Sequence, residues 1–170
     1  MAAVNAALKL QIDATVKSAK PKGVLSYKLD QVAEELNLIP GTAALGQADL
    51  AFIDTRTLAG SATEDLDLAG VLADSFGATI TLAQVVLIFI KAAKTNVNDV
   101  LVGNASTNGF VGPIGATGVQ RVKAGEFLLW ASSKGWAVTG GTGDKLKIAN
   151  SGAGTAAYDI VVFGRSAAVS

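Results

Sequence analysis

The sequence predicts an all-β protein: an antiparallel β-sandwich or jelly-roll-like body that follows an extended N-terminal strand segment. Three observations lead to this fold class. Apolar residues gather in short runs, turn signals recur roughly every 8 to 12 residues, and glycine outnumbers proline by 19 to 3. A chain of 170 residues can bury one hydrophobic core, so two large domains are excluded. We divide the chain into an N-terminal arm segment, residues 1–45, and a sandwich domain, residues 46–170.

The N-terminal segment alternates between apolar and polar residues with a period of two. This period predicts a half-buried strand, whose apolar face carries Leu8, Leu10, Ile12, Ala14 and Val16. Pro21 and Gly23, flanked by lysines, predict a solvated turn, after which residues 24–29 can resume as a strand. Residues 30–37 are ambiguous, because Asp30 could cap a short helix, but an extended or irregular segment is favoured.

Most of the later strands are predicted by β-branched and aromatic runs bounded by turn residues. The run at 85–91 is apolar over nearly its whole length, which indicates a central strand buried on both faces. A turn is expected at 134–135, and residues 71–76 should form a short helical or turn-like piece that ends at Gly77. The other predicted strands are residues 48–58, 97–102, 119–122, 126–131, 136–138, 146–148 and 158–163.

Composition excludes several classes of function. The chain has no Cys and no His, which removes disulfides, thiolate nucleophiles, Cys- or His-ligated metals and serine-type triads. A formal net charge of 0 lacks the basic surplus of nucleic-acid binders, so we expect no nucleic-acid partner. We therefore expect neither an enzyme nor a cofactor, and no small-molecule ligand.

No membrane or export segment is expected. The longest apolar run, residues 85–90, is far shorter than the roughly 18 to 20 residues that span a bilayer. The first ten residues lack the basic stretch and the continuous apolar stretch of a signal peptide. We therefore expect the protein to be made in the cytoplasm, with no membrane partner.

Two features resemble binding motifs without matching them. Glu64, Asp65 and Asp67 lie close together but lack the 12-residue spacing of a calcium-binding EF-hand loop. The loop at 140–145 has glycines and a lysine, but Asp144 separates the last glycine from Lys145, unlike a phosphate-binding loop. We therefore expect no metal site and no nucleotide site.

Aromatic and glycine-rich positions remain as candidates for surface contacts. Trp130 lies inside an apolar strand and is expected in the core, whereas Trp136 follows a predicted turn and is expected to be exposed. The glycine-rich loops around Pro113 and Gly141 are further candidates, because exposed loops on a rigid sandwich often carry function.

Several short motifs carry a resemblance to a known family. They are Thr57-Leu58-Ala59, Glu64-Asp65-Leu66-Asp67-Leu68-Ala69-Gly70, Gly135-Trp136-Ala137-Val138-Thr139, Gly143-Asp144-Lys145-Leu146 and Tyr158-Asp159-Ile160-Val161. With them the chain resembles a family of small structural proteins of tailed bacteriophages and prophages, over most of the sequence after about residue 45. The motifs are structural signatures and transfer no catalytic residue.

The resemblance implies a virion protein, a capsid decoration or cement protein on the outer surface of the phage head. It also implies a sandwich or jelly-roll body, a homotrimer, and the major capsid protein as partner. The N-terminal strand offers a candidate interface, Leu8, Leu10, Ile12 and Val16, which could pair with a neighbouring subunit or with the capsid by strand addition.

Two other functions compete with this interpretation. The first is a tail-tip or head-fibre adhesion module that binds a host-surface glycan through Trp136, Pro113 and Gly141. The second is a polysaccharide-degrading enzyme, which would need carboxylates alone to do the acid and base chemistry and therefore ranks last.

Overall fold

Every regular element in the described part of the chain is a β-strand, which confirms the all-β prediction. The computed structural model describes residues 4–20, 23–28 and 32–169. Its thirteen strands are β1 (Ala6–Ile12), β2 (Thr15–Lys20), β3 (Gly23–Lys28), β4 (Val32–Pro40), β5 (Gln47–Ala48), β6 (Leu50–Leu58), β7 (Thr63–Asp67), β8 (Gln84–Ala92), β9 (Val100–Val102), β10 (Gln120–Val122), β11 (Phe127–Ala137), β12 (Lys145–Asn150) and β13 (Ala156–Arg165).

Strands β6 to β13 form two four-stranded antiparallel sheets. Sheet 1 has the strand order β6-β13-β8-β11, and sheet 2 has the order β7-β12-β9-β10. The chain changes sheet at every connection except that between β9 and β10. Eight strands arranged in this way form a jelly roll, so the predicted β-sandwich with a jelly-roll-like body is confirmed.

The main hydrophobic core lies between the two sheets. Apolar residues alternate with outward-facing ones in β12 and β13, and this period of two buries Ile148, Ile160 and Val162 completely. Strand β8 is buried on both faces, as its sequence predicts. The reason is that Ile88 faces the main core, whereas Val86 packs beneath the N-terminal strands.

The four N-terminal strands form two antiparallel pairs, which together we call the arm. Its base is the antiparallel pair β1 and β4, from Ala6 opposite Leu38 to Ile12 opposite Val32. Its tip is the pair β2 and β3, from Thr15 opposite Lys28 to Lys20 opposite Gly23. The pairing register therefore steps by one residue between base and tip. Strand β5 adds to the base in parallel, with Gln47 opposite Ile39.

The structure of the arm tests some of the sequence predictions, whereas others fall outside the described residues. The extended conformation expected around 30–37 is confirmed for 32–37, which lie in β4. Asp30 and the predicted turn at Pro21 lie outside the described residues, although β2 and β3 flank that turn on either side.

The structure adds one strand that the sequence did not predict and corrects two predictions for the body. The segment at 63–67 is a strand, β7, which its acidic residues concealed. The expected turn at 134–135 is an irregularity inside the continuous strand β11, where Gly135 has a φ of 81° and the register with β8 shifts between Ala131 and Trp136. The strand expected at 97–102 is shorter, β9, and Val97 lies in an exposed loop.

Candidate functional site

The base of the arm is fixed to the outer face of sheet 1 by a second, smaller core. Its buried members are Val4, Leu38, Ala48 and Val86, with Ala6, Leu36, Ala51 and Phe163 packed around them. Because these residues come from the arm, from β5 and β6 and from sheet 1, the small core joins the arm base to the sandwich. The N-terminal segment therefore has a fixed starting point on the body.

Burial decreases along the arm away from its base. Leu38 is buried and Leu8 is half-buried, but Leu10 is 50% exposed and Ile12 is 47% exposed. Farther out, Val24 on the tip is 66% exposed. The predicted interface residues Leu8, Leu10 and Ile12 thus share one face of β1, and that face is uncovered toward its outer end. The side chain of Val16, the fourth predicted residue, lies outside the described part.

A groove runs between β1 and the outer face of sheet 1, and we call it the arm groove. It consists of two adjoining cavities of about 350 and 430 Å³, both lined by Leu8, Leu10 and Leu129. The smaller cavity is walled by apolar residues of sheet 1, Leu87, Phe89, Phe127, Leu129, Val161 and Phe163. The larger cavity adds polar groups from β4 and β11, Glu34, Glu35, Ser132 and Ser133.

Aromatic side chains form the apolar wall of the arm groove. The rings of Phe89 and Phe127 lie with their centroids 5.8 Å apart, tilted by 32°, which is a favourable aromatic arrangement. Phe127 is nevertheless 65% exposed. Large apolar side chains left uncovered next to a cavity are typical of a binding surface, because monomeric proteins usually bury such groups.

Two carboxylates lie beside the apolar part of the arm groove. Glu35 forms an ion pair with Lys9 across the ribbon, with Nζ and Oε1 3.4 Å apart. Hydrogen bonds from Asn37 and Lys9 lower the pKa of the Glu35 carboxyl, so that this group is charged at neutral pH. Glu34 is exposed and forms no ion pair within the described residues. Because Lys9 also lines the groove, the arm groove is apolar with a rim of two carboxylates and one ammonium group, a net charge of −1.

A fully buried arginine holds the segments around the arm base in place. Arg165 is 0% exposed, and its guanidinium donates to the Gln84 side chain at 2.7 and 3.0 Å. It also donates to backbone carbonyls in the loop before β5, in β5 and in the irregular part of β11, those of Ala44, Gln47, Ser133 and Lys134. Burial lowers the pKa of Arg165, but the hydrogen bonds to these acceptors offset the cost of burying its charged form. One side chain thus ties β13, β8, β11 and the loop before β5 together.

The predicted loop contacts do not form an exposed aromatic platform. Trp136 is half-buried and packs against the main core, as Trp130 does. Pro113 is half-buried, and Gly141 is exposed in a tight turn. The loops 103–119 and 138–144 do lie side by side, because the Asp144 and Lys145 amides donate to the Asn108 carbonyl. Whether Trp136, Pro113 and Gly141 contact a partner stays a prediction.

Two acidic residues of β7 form hydrogen bonds and ion pairs with other residues of the sandwich. Glu64 accepts a hydrogen bond from the buried Tyr158 hydroxyl at 2.6 Å and forms an ion pair with Arg56 at 2.6 Å. Asp67 forms an ion pair with Lys145 on the adjacent β12 at 2.5 Å. The carboxylates of Glu64 and Asp67 thus have separate cationic partners. No cluster of three or more potential metal ligands occurs in the part of the chain that the structure describes.

Polar groups of the glycine-rich loop before β12 form hydrogen bonds with one another. The amide of Gly141 donates to Asp144 Oδ2 at 2.5 Å, and the amide of Gly143 donates to the Thr139 carbonyl at 2.8 Å. Because the amides of residues 141–145 and the Lys145 side chain already have partners, the loop offers few donors to a phosphate group.

The Asp67 ion pair predicts a difference in acid stability. The hydrogen bond from Lys145 lowers the pKa of Asp67, so this carboxyl stabilises the fold above its ordinary pKa of about 3.9. That contribution is lost as the pH falls through the lower, folded-state pKa. We expect Lys145→Met to lower the free energy of unfolding at pH 7 by a small amount, as for an ion pair at the surface, and the difference from wild type to shrink below roughly pH 4.

The measurement is urea unfolding at several pH values between 2 and 7. The matched control is Lys147→Met on the same strand, since Lys147 forms no ion pair in the described part. Equal losses for the two variants at every pH would contradict the assignment.

Comparison with known proteins identifies no relative. No family model, no curated protein and no solved structure matches the chain. Within the described residues, no helix is long and apolar enough to cross a membrane.

Sequence reasoning missed Arg165 and the wall of the arm groove. Arg165 carries one weak signal, a charge that follows shortly after the apolar run at 160–163. Phe89, Phe127 and Phe163 carry none, because residues far apart in the chain come together there only through the order of the strands in sheet 1.

Proposed function

We propose that this chain is a structural protein of a tailed-phage virion that decorates the outer surface of the head and stabilises contacts between major capsid subunits. The observation that carries the proposal is the arm, a ribbon that leaves apolar residues exposed beside an apolar groove. This is a surface suited to association. The motif resemblance described above supplies the phage context, and the jelly-roll body is of the kind that the resemblance implies.

Physical reasoning supports an association role for the arm. An isolated two-stranded ribbon is only marginally stable in water, so the tip, β2 and β3, gains stability when a partner surface covers it. A decoration protein acts through many copies around a closed shell, and multivalency converts modest contacts into strong retention. Stable interfaces bury about 1,200–2,000 Å² in total, which a ribbon and its groove can help to supply.

Quantitative mass spectrometry of purified virions tests the proposal. We expect hundreds of copies of this chain per particle, in a fixed ratio to the major capsid protein. A count of about three to a dozen would instead place the chain at the tail or at one vertex. Absence from purified particles would overturn the virion proposal altogether.

The adhesion alternative makes a separate prediction. If loops near Trp136 bound a host glycan, Trp136→Ala would abolish binding to a glycan array or to host cells. We expect no glycan binding by the wild type, because the indole is half-buried and packs against the main core. Saturable wild-type binding that Trp136→Ala removes would favour adhesion over decoration.

A further inference from the structure

The charges of this chain are segregated even though its net charge is 0. The arm tip, residues 15–28, carries four of the fourteen basic side chains, at Lys17, Lys20, Lys22 and Lys28, and none of the fourteen acidic ones. The rest of the chain therefore has ten basic against fourteen acidic residues, a formal net charge of −4. Lys17 and Lys28 are exposed on β2 and β3. The tip is thus cationic, and most of the negative excess outside it lies in the rest of the N-terminal segment, which includes Glu34 and Glu35 of the arm base.

The arm groove has the complementary character. Its rim carries Glu34 and the Glu35–Lys9 ion pair, a net charge of −1, and its walls are apolar. The tip has the matching combination of lysines and an exposed apolar residue, Val24. Opposite charges at the rim of an apolar surface favour one partner and one orientation over others.

The dimensions of the two surfaces also agree. A strand rises about 3.3 Å per residue, so the six-residue strands of the tip are roughly 20 Å long and the seven-residue β1 is roughly 23 Å long. In the described residues β1 pairs only with β4, so its other edge has main-chain groups available for an added strand.

We propose that the arm tip of one copy of this chain binds in the arm groove of a second copy, with the tip lysines facing Glu34 and Glu35. The contact covers the marginally stable ribbon and the exposed side chains of Leu10 and Phe127 in one step. This inference goes beyond the proposed function, because it concerns the isolated protein and holds whether or not the chain is found on a phage head.

Analytical ultracentrifugation of the purified full chain tests the contact. We expect species that are multiples of 17.1 kDa at low ionic strength and dissociation toward the monomer as salt rises, since salt screens exposed charges. A variant in which residues 13–31 are replaced by Asn-Gly removes the tip but keeps the base. Ile12 and Val32 are directly opposite, and a two-residue turn can join such a pair. We expect this trimmed variant to be monomeric and folded.

Charge reversal tests the specific pairing. We expect Lys17→Glu with Lys28→Glu to weaken association at least tenfold, and Glu34→Lys with Glu35→Lys to do the same. All four changes together should restore it. The matched control is Lys94→Glu with Lys123→Glu, two exposed lysines on loops of the body, which should leave association unchanged.

Two results would overturn the inference. The first is a wild-type chain that stays monomeric at low salt and at high concentration. The second is association that neither the trimmed variant nor the paired reversals alter. Either result leaves the copy number on virions untouched, so a failure here is distinguishable from a failure of the proposed function.

Discussion

Replacing Arg165 with methionine is expected to lower the free energy of unfolding by about 3 kcal/mol, in the range found when one partner is removed from a buried polar network. Methionine fills a similar volume but donates no hydrogen bond. The carbonyls of Gln47, Ser133 and Lys134 and the side-chain oxygen of Gln84 then each lose a charged donor in a buried site. Relief from burying a charge offsets only part of this loss.

The Arg165 prediction should be measured by urea unfolding in the trimmed-arm background, so that self-association does not alter the apparent stability. Arg121→Met is the matched control. Arg121 is exposed and forms a single ion pair with Asp99, so its replacement should change stability by no more than about 0.5 kcal/mol. Hydrogen exchange adds a local readout, since amides in 44–48 and 132–135 should lose protection in Arg165→Met. Comparable losses for both arginines would show that Arg165 does not tie these segments together.

Removing the Tyr158 hydroxyl is expected to have the second-largest effect. Tyr158→Phe should lower the free energy of unfolding by about 2 kcal/mol, because a hydrogen bond to a charged group contributes about 1.5–3 kcal/mol. The hydroxyl donates to Glu64 at 2.6 Å, and Glu64 is also paired with Arg56. Tyr158 and Arg56 lie in sheet 1, whereas Glu64 lies in sheet 2. These three side chains therefore link the two sheets through polar contacts.

A double-mutant cycle isolates this interaction. Tyr158→Phe and Glu64→Gln, measured singly and together, should give a coupling energy of at least 1 kcal/mol. The coupling should be near zero for Tyr158→Phe with Asp159→Asn, because Asp159 lies on the outward face of β13 and bonds Thr55 instead. If the losses in stability from Tyr158→Phe and Glu64→Gln were additive, a direct contribution from the hydrogen bond between the hydroxyl and Glu64 would be excluded.

Tyr158 also predicts the response to alkaline pH. Burial and the neighbouring Glu64 carboxylate raise the pKa of Tyr158 above its ordinary value of about 10. Its contribution to stability is fully present below roughly pH 10 and is lost as the pH rises from there toward the folded-state pKa. In a Tyr27→Phe background, where Tyr158 is the single tyrosine, phenolate absorbance should appear only when the protein unfolds. Reversible ionisation near pH 10 in the folded protein would contradict this.

The strands of the sandwich were predictable because local sequence sets their pattern. The apolar run of β8 and the alternation in β1, β12 and β13 reflect which faces are buried, and this information lies in neighbouring residues. Strand β7 was missed because Glu64, Asp65 and Asp67 resemble a loop. Their partners Arg56, Tyr158 and Lys145 come from other strands and remove the cost of placing two of these acids in a sheet.

The candidate site was predictable only in part. Alternation placed Leu8, Leu10 and Ile12 on one face of a strand, and the structure agrees. It did not indicate that the chain returns as β4 to pair with β1, or that aromatic residues from β8, β11 and β13 meet that face. Both depend on contacts between residues far apart in sequence, for which a single sequence carries no periodic signal. The basic tip was visible in the composition of residues 15–28, but its acidic counterpart appears only when the fold brings Glu34 and Glu35 to the rim of the groove.

The one-residue register step between the arm base and the arm tip has a geometric consequence for assembly. One strand has an extra residue relative to its partner, as in a β-bulge, and an extra residue of this kind bends and twists paired strands. A tip that enters the groove of the next copy makes a head-to-tail contact, and such contacts either close into rings or continue as open filaments, depending on the rotation between successive copies. Under the proposed contact we therefore expect an inserted or deleted residue between β3 and β4 to change the size of the assemblies.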